Sequence, residues 1–167
     1  MIPPRFADLP DVVLGPLAGR PDSDWHHAPP GKWCPAQIVE HLAISVEWSG
    51  GKFDERRARD PMVRRPRTML QRLAYVFIMR VGWIPRLFNA PEGTRPSDRP
   101  DRAAVERRFR EGHARWLELE RILLPARRND LFVKHPVLGD LDFEEWLHFH
   151  VWHCGHHAKQ IRERLSR

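Results

Sequence analysis

At 167 residues the chain is the size of one domain and long enough to bury a core, and its 41% hydrophobic and 30% charged residues are those of a globular protein in water. Two cysteines, Cys34 and Cys154, exclude a disulfide framework, and no apolar run approaches the 18 residues of a membrane span. The net charge of +6 comes from 28 Lys and Arg against 22 Asp and Glu, which raises nucleic acid or an anionic substrate as partners. The opening MIPPRFADLP has no apolar leader core, so the expected setting is the reducing cytoplasm.

No internal repeat, low-complexity tract or interdomain linker is visible, so residues 1–167 are expected to form one domain. A first helix is expected over about 6–17, interrupted by Pro10 and Pro16. A loop, PDSDWHHAPPGKW, follows. A second helix should begin at Pro35, a good first-turn residue, and run to about residue 59, with Ile38, Leu42, Val46 and Ser49 at helical spacing. Residues 67–88 read as helical through Met79, with a break near Gly82 and Pro85. A Pro-, Gly- and Ser-rich loop over 89–100 leads into a helix over 101–124, which Pro125 stops. Strand signals are weak; only short β-branched pieces such as LFVKH occur. The last helix should cover 143–165: Asp142 can cap it, Glu145 completes a capping box, and its length is about 33 Å. The expected fold is all-α, a four-helix bundle with an extra helical segment between its second and third helices.

The basic excess is mostly arginine. Its densest run, Arg56, Arg57, Arg59, Arg64, Arg65 and Arg67, lacks interleaved aromatics and matches no nucleic-acid-binding signature, so a solvated helix end and loop is the preferred reading. The apolar LAYVFIMRVGW stretch reads as core packing or as a homodimer face, with core packing preferred.

Histidine is the unusual residue. Five of ten fall in HFHVWHCGHH, residues 148–157. Residues three or four apart share a helix face, so His150, His153 and His157 form one stripe, beside a core seam of Leu147, Val151, Cys154, Ala158, Ile161 and Leu165. His148 points elsewhere, and His156 lies on a third, more polar face. His153 and His157 are an i, i+4 pair whose Cβ atoms lie roughly 5–6 Å apart, close enough for both imidazoles to reach one ion at about 2.0–2.1 Å. An isolated pair of this kind is more often a surface feature. Here its helix must be largely buried, and clustered buried histidines need a partner that a shared cation supplies. His41 lies beside Ile38, Leu42 and Ser45; alone it reads as a core histidine bonded to a carbonyl, and only a bundle packing the second helix beside the last would bring it to the pair.

GKWCPAQIVEHLA resembles the first signature of the DinB-like superfamily, in which a Trp and a helix cap precede a helix carrying a histidine. HPVLGDLDFEEWLHFHVWHCGHHAKQI resembles its last signature, a helix with two histidines four apart, commonly followed by Gln. The middle segment RTMLQRLAYVFIMRVGWIPRLFNAPEGTRP resembles the extra element of one branch. The resemblance implies a DinB-like four-helix bundle with metal ligands at His41, His153 and His157; His150 and His156 are additional and leave the ligand set open. The family's usual cap is Ser or Thr, and Cys34 stands there.

Three protein ligands leave a coordination position for water, the arrangement of catalytic rather than closed structural sites. The resemblance implies a metal-dependent enzyme of thiol-dependent transferase or hydrolase type acting on a small molecule, with Zn or Ni as the ion and a low-molecular-weight thiol as a second cofactor. No HExxH, GxSxG, GxxxxGK[ST] or GxGxxG occurs, and no general base stands out; Glu40 and Gln37 are not clearly directed at the site. Cys154 reads as a core residue, and Cys34 as a cap rather than a nucleophile. Two other functions compete: a non-catalytic metal-stabilised scaffold, ranked second, and a nucleic-acid binder through the arginine run, a distant third.

Overall fold

The caps written into the chain set where its long helices begin. The computed structural model describes residues 5–82, 92–123 and 125–166. Helix α1 (Leu9–Leu14) is a short α-turn between two 3₁₀ turns, Phe6–Asp8 and Gly15–Leu17. The first bundle helix is thus a broken one, as Pro10 and Pro16 require, and it still buries Phe6, Leu9, Val13, Leu14 and Leu17. The stretch read as loop contains a short helix, α2 (Asp22–His26). Asp22 and Asp24 favour its N-terminal end, and Trp25 is buried beneath the Arg102 guanidinium at 4.8 Å.

Helix α3 (Pro35–Arg56) starts where Gln37 reaches back to accept from the Cys34 amide at 3.0 Å, and ends three residues short of expectation. Helix α4 (Met69–Tyr75) is capped by Thr68, which accepts from the Gln71 amide, and continues as a π-helical turn over Val76–Arg80. It stops at Gly82, whose φ of +68° ends a helix without steric cost; Pro85, the other expected break, lies outside the described residues. The region read as loop before the third long helix holds a 3₁₀ turn, Glu92–Thr94. Helix α5 (Arg102–Ile122) is capped by Asp101, which accepts from the Ala104 amide at 2.8 Å.

Strands β1 (Val133–His135) and β2 (Gly139–Leu141) form a two-stranded antiparallel hairpin, Val133 opposite Leu141; it adds to the expected all-α fold, and its first strand lies in the weak LFVKH signal. Packing rather than propensity makes it: Val133, Leu138 and Leu141 enter the core, and Gly139 takes φ +77° at the turn. Helix α6 (Phe143–Leu165) begins on the expected capping box, with the Glu145 amide donating to Asp142 at 2.8 Å and the Asp142 amide to Glu145 at 3.0 Å.

The broken first helix with α3, α5 and α6 makes the bundle: α3 packs on α5 and α6, and α1 on α6 and α5. The α3–α5 contact is close. A Cβ on Gly50 would come within 2.8 Å of Trp116 Nε1, which donates to the Val46 carbonyl. Trp116 stacks on Phe143 at 4.8 Å, and Phe53 meets Phe143 edge-on, so large rings fill the centre.

The segment between α3 and α5 is held by the arginines of the basic run. Arg64 pairs with Asp142 and Glu145, Arg65 with Asp140, and Arg67 with Glu145 and the Leu138 and Asp140 carbonyls. Tyr75 Oη donates to Glu145 at 2.9 Å. Arg57 pairs with Asp54, and Arg56 bonds the Phe132 carbonyl. Much of the run is therefore spent within the molecule. Among the described residues, no helix is long and apolar enough to cross a membrane.

Candidate metal centre

Packing α3 beside α6 brings His41 to His153 and His157, far apart as they are in sequence. One ring nitrogen from each lies within 4.8 Å of the others, and among the described residues this is the group of His, Cys, Asp and Glu side chains able to hold a metal ion. The Nε2 atoms of His41 and His153 are 3.1 Å apart. Two nitrogens bound tetrahedrally at about 2.0–2.1 Å to one ion would lie roughly 3.3 Å apart, so this spacing fits a shared ion.

The outer nitrogens sort the tautomers. His41 Nδ1 meets the Thr94 carbonyl at 2.7 Å, and His157 Nδ1 meets Gln160 Oε1 at 2.8 Å. Both partners are acceptors, so each Nδ1 carries the proton and each Nε2 keeps its lone pair for a ligand. Imidazoles that hold metals are commonly oriented by such acceptors. His153 is oriented by packing instead: Phe149 stacks on it at 5.0 Å, and its Nδ1 is buried without a hydrogen-bond partner. Trp33 lies against His41 with ring centroids 5.0 Å apart.

Electrostatics keep the three rings neutral. Each is 5–9% exposed. Burial, reinforced by His157 and His41, holds His153 far below the usual histidine range. Burial, with His41 and His156, lowers His157 to about 3 against the opposing bond to Gln160. Burial also lowers His41, opposed by its bond to the Thr94 carbonyl. Neutral imidazole is the form that ligates.

The remaining histidines fall elsewhere. His150 is fully buried, with Nε2 3.0 Å from Ser49 Oγ among the rings of Phe6, Trp116, Trp146 and Phe149. It shares the stripe and not the cluster. His156 meets Gln160 Nε2 at 3.1 Å, on the outer side of the bond that orients His157. His148 is exposed. Cys154 sits in the apolar seam with its thiol pushed upward by burial, which removes it as a nucleophile.

Gln37 and Glu40 serve the strap that crosses α3. Gln37 Nε2 donates to the Ser97 and Asp98 carbonyls, and Glu40 accepts from the amide and hydroxyl of Ser97. These bonds fix the strap whose Thr94 carbonyl orients His41. Thr94 acts through its backbone, so no side-chain signal pointed to it. Gln160, three residues after His157, was legible as an i, i+3 neighbour.

A helical bundle with histidines drawn from its second and last long helices is the architecture of a known class. The profile of the DinB superfamily matches residues 5–161, and the chain belongs to that superfamily. Among solved structures it is similar to YfiT from Bacillus subtilis, with a TM-score of 0.65 and 22% identity over 97% of this chain and 82% of the other. YfiT is described as a probable metal-dependent hydrolase with an unusual four-helix bundle topology. The likeness establishes the fold. Among proteins of curated function, none matches this chain.

Proposed function

We propose that the protein is a cytoplasmic, single-domain metal-dependent enzyme that holds one Zn²⁺ or Ni²⁺ through His41, His153 and His157. The observation that carries the proposal is the convergence of three buried, neutral imidazole nitrogens within 4.8 Å, two of them with the opposite nitrogen tied to an acceptor. Imidazole suits either ion. A divalent ion on three histidines supplies a Lewis acid that makes a bound water or small thiol nucleophilic near neutral pH. That chemistry suits a hydrolase or a thiol-dependent transferase acting on a small molecule, and YfiT's description favours the hydrolase.

The chain's own residues supply position. Thr94 and Gln160 set the tautomers of His41 and His157, while Trp33 and Phe149 pack against the rings of His41 and His153. The small exposure of all three histidines also favours a second reading, a metal-stabilised scaffold without turnover.

Elemental analysis of purified protein beside His153→Ala tests the site. We expect near-stoichiometric Zn or Ni in the wild type and its loss in the variant. Wild-type protein that stays metal-free after incubation with both ions would overturn the reading. A metal-loaded protein silent toward thiol-transfer and ester substrates would favour the scaffold.

A further inference from the structure

The segment between α3 and α5 carries an exposed face that the metal centre does not use. Along α4 and the π-helical turn after it, Ile78 and Met79 turn inward and are buried, as core packing requires. Met69, Leu70, Leu73, Val76, Phe77 and Val81 turn outward, Met69 at 81% and Leu70 at 76% exposed. Scattered apolar side chains on a surface are ordinary, but six on one short helix form a patch of the kind that marks an interaction site.

The orientation is enforced. Arg64 and Arg67 clamp Glu145, Tyr75 donates to the same carboxylate, and Gly82 lies so close to Trp152 that a Cβ would stand 2.3 Å from its ring. The face therefore cannot roll inward without breaking a half-buried ion-pair network. Its outward positive charge lies on Arg72 and Arg80, because Arg64, Arg65 and Arg67 are paired with Asp140, Asp142 and Glu145. Residues 61–82 contain five arginines and no Asp or Glu. Arg72 and Arg80 lie exposed on the helix, and neither forms an ion pair among the described residues.

We propose that this face docks on an anionic lipid surface, Met69, Leu70, Leu73, Val76 and Val81 entering the headgroup boundary and Arg72 and Arg80 reaching back to lipid phosphates. A helix that lies in the interface needs this combination of a wide apolar face and long cationic side chains that extend from it to the polar layer. A second copy of the chain fits less well. Self-association through this face would set Arg72 and Arg80 against their counterparts, with no acid in residues 61–82 to pair with them. A bilayer bearing phosphates satisfies both the charge and the apolar area.

Co-sedimentation of the full chain with vesicles of phosphatidylcholine and phosphatidylglycerol at 3:1, beside pure phosphatidylcholine, tests this. We expect retention on the anionic vesicles and at least about tenfold weaker partitioning on the neutral ones. Leu70→Glu with Leu73→Glu should abolish retention. Arg72→Ser with Arg80→Ser should lower it about tenfold and serves as the second variant should the glutamates disturb folding. Absence of wild-type retention, or retention equal in every variant, would overturn the proposal. A wild type that ignores vesicles but sediments as a dimer, converted to monomer by the same substitutions, would overturn it in favour of a second copy.

Discussion

His150 shows what burial does to a titratable side chain in this bundle. It is fully buried among aromatic rings, and burial, with the charges of His135 and His113 adding, lowers it to about 3. In the unfolded chain it titrates near 6.5. Its folded value is depressed, so the unfolded state binds the extra proton below 6.5, and stability falls with pH from there until about 3. Between pH 6.5 and 5 this one group should remove about 2 kcal/mol of stability. Denaturant unfolding at pH 7 and pH 5, in chelator, should show a smaller loss in His150→Leu than in the wild type. Leu is of comparable size, and Ser49 keeps its bond to the Ser45 carbonyl, so the variant should fold. Equal losses would mean that His150 is reached by water. At the same scale the histidine cluster was only partly legible. The i, i+4 spacing paired His153 with His157 because helix geometry is local. Whether His150, equally on the stripe, joined them depended on which ring faced Ser49 and which faced His41, and that is decided by neighbours on α3.

Among the elements, those governed by local chemistry were legible. Asp101 and Asp142 mark helix starts because a side-chain oxygen a few atoms from the backbone can satisfy amides that the helix itself leaves unpaired. The hairpin and α2 were not legible. Both are short, and each exists because Val133, Leu141 or Trp25 is buried against distant helices. The α3–α5 contact is the element-scale feature most open to test. Gly50→Ala places a methyl 2.8 Å from Trp116 Nε1, and that ring is fully buried between Phe53 and Phe143, with little freedom to give way. We expect a loss of about 1–3 kcal/mol, read as a lowered denaturation midpoint without a change in slope. Gly51→Ala is the control, since nothing lies within 4 Å of its Cβ and alanine favours the helix.

For the molecule as a whole, the candidate centre ties α3 to α6 and, through Thr94 and Gln37, to the strap leading into α5. An ion bound there and not in the unfolded chain must raise global stability, by about 2.7 kcal/mol at a hundredfold excess over Kd. The melting temperature should rise with added Zn or Ni and fall again with chelator, and the His41→Ala protein should not respond. A melting curve indifferent to both ions would argue against the shared site. The helical class, the helix starts, the pairing of His153 with His157, the place of Gln160 beside His157 and the extra basic, apolar segment could be read along the chain, because capping, periodicity and i, i+3 or i, i+4 spacing are properties of neighbours in sequence. Packing between elements set the rest: that His41 completes the cluster, that the Thr94 carbonyl orients it, that the arginine run closes on Asp140, Asp142 and Glu145, and which face of α4 meets solvent. Those outcomes join residues far apart in the chain, and only packing sets the distances between them.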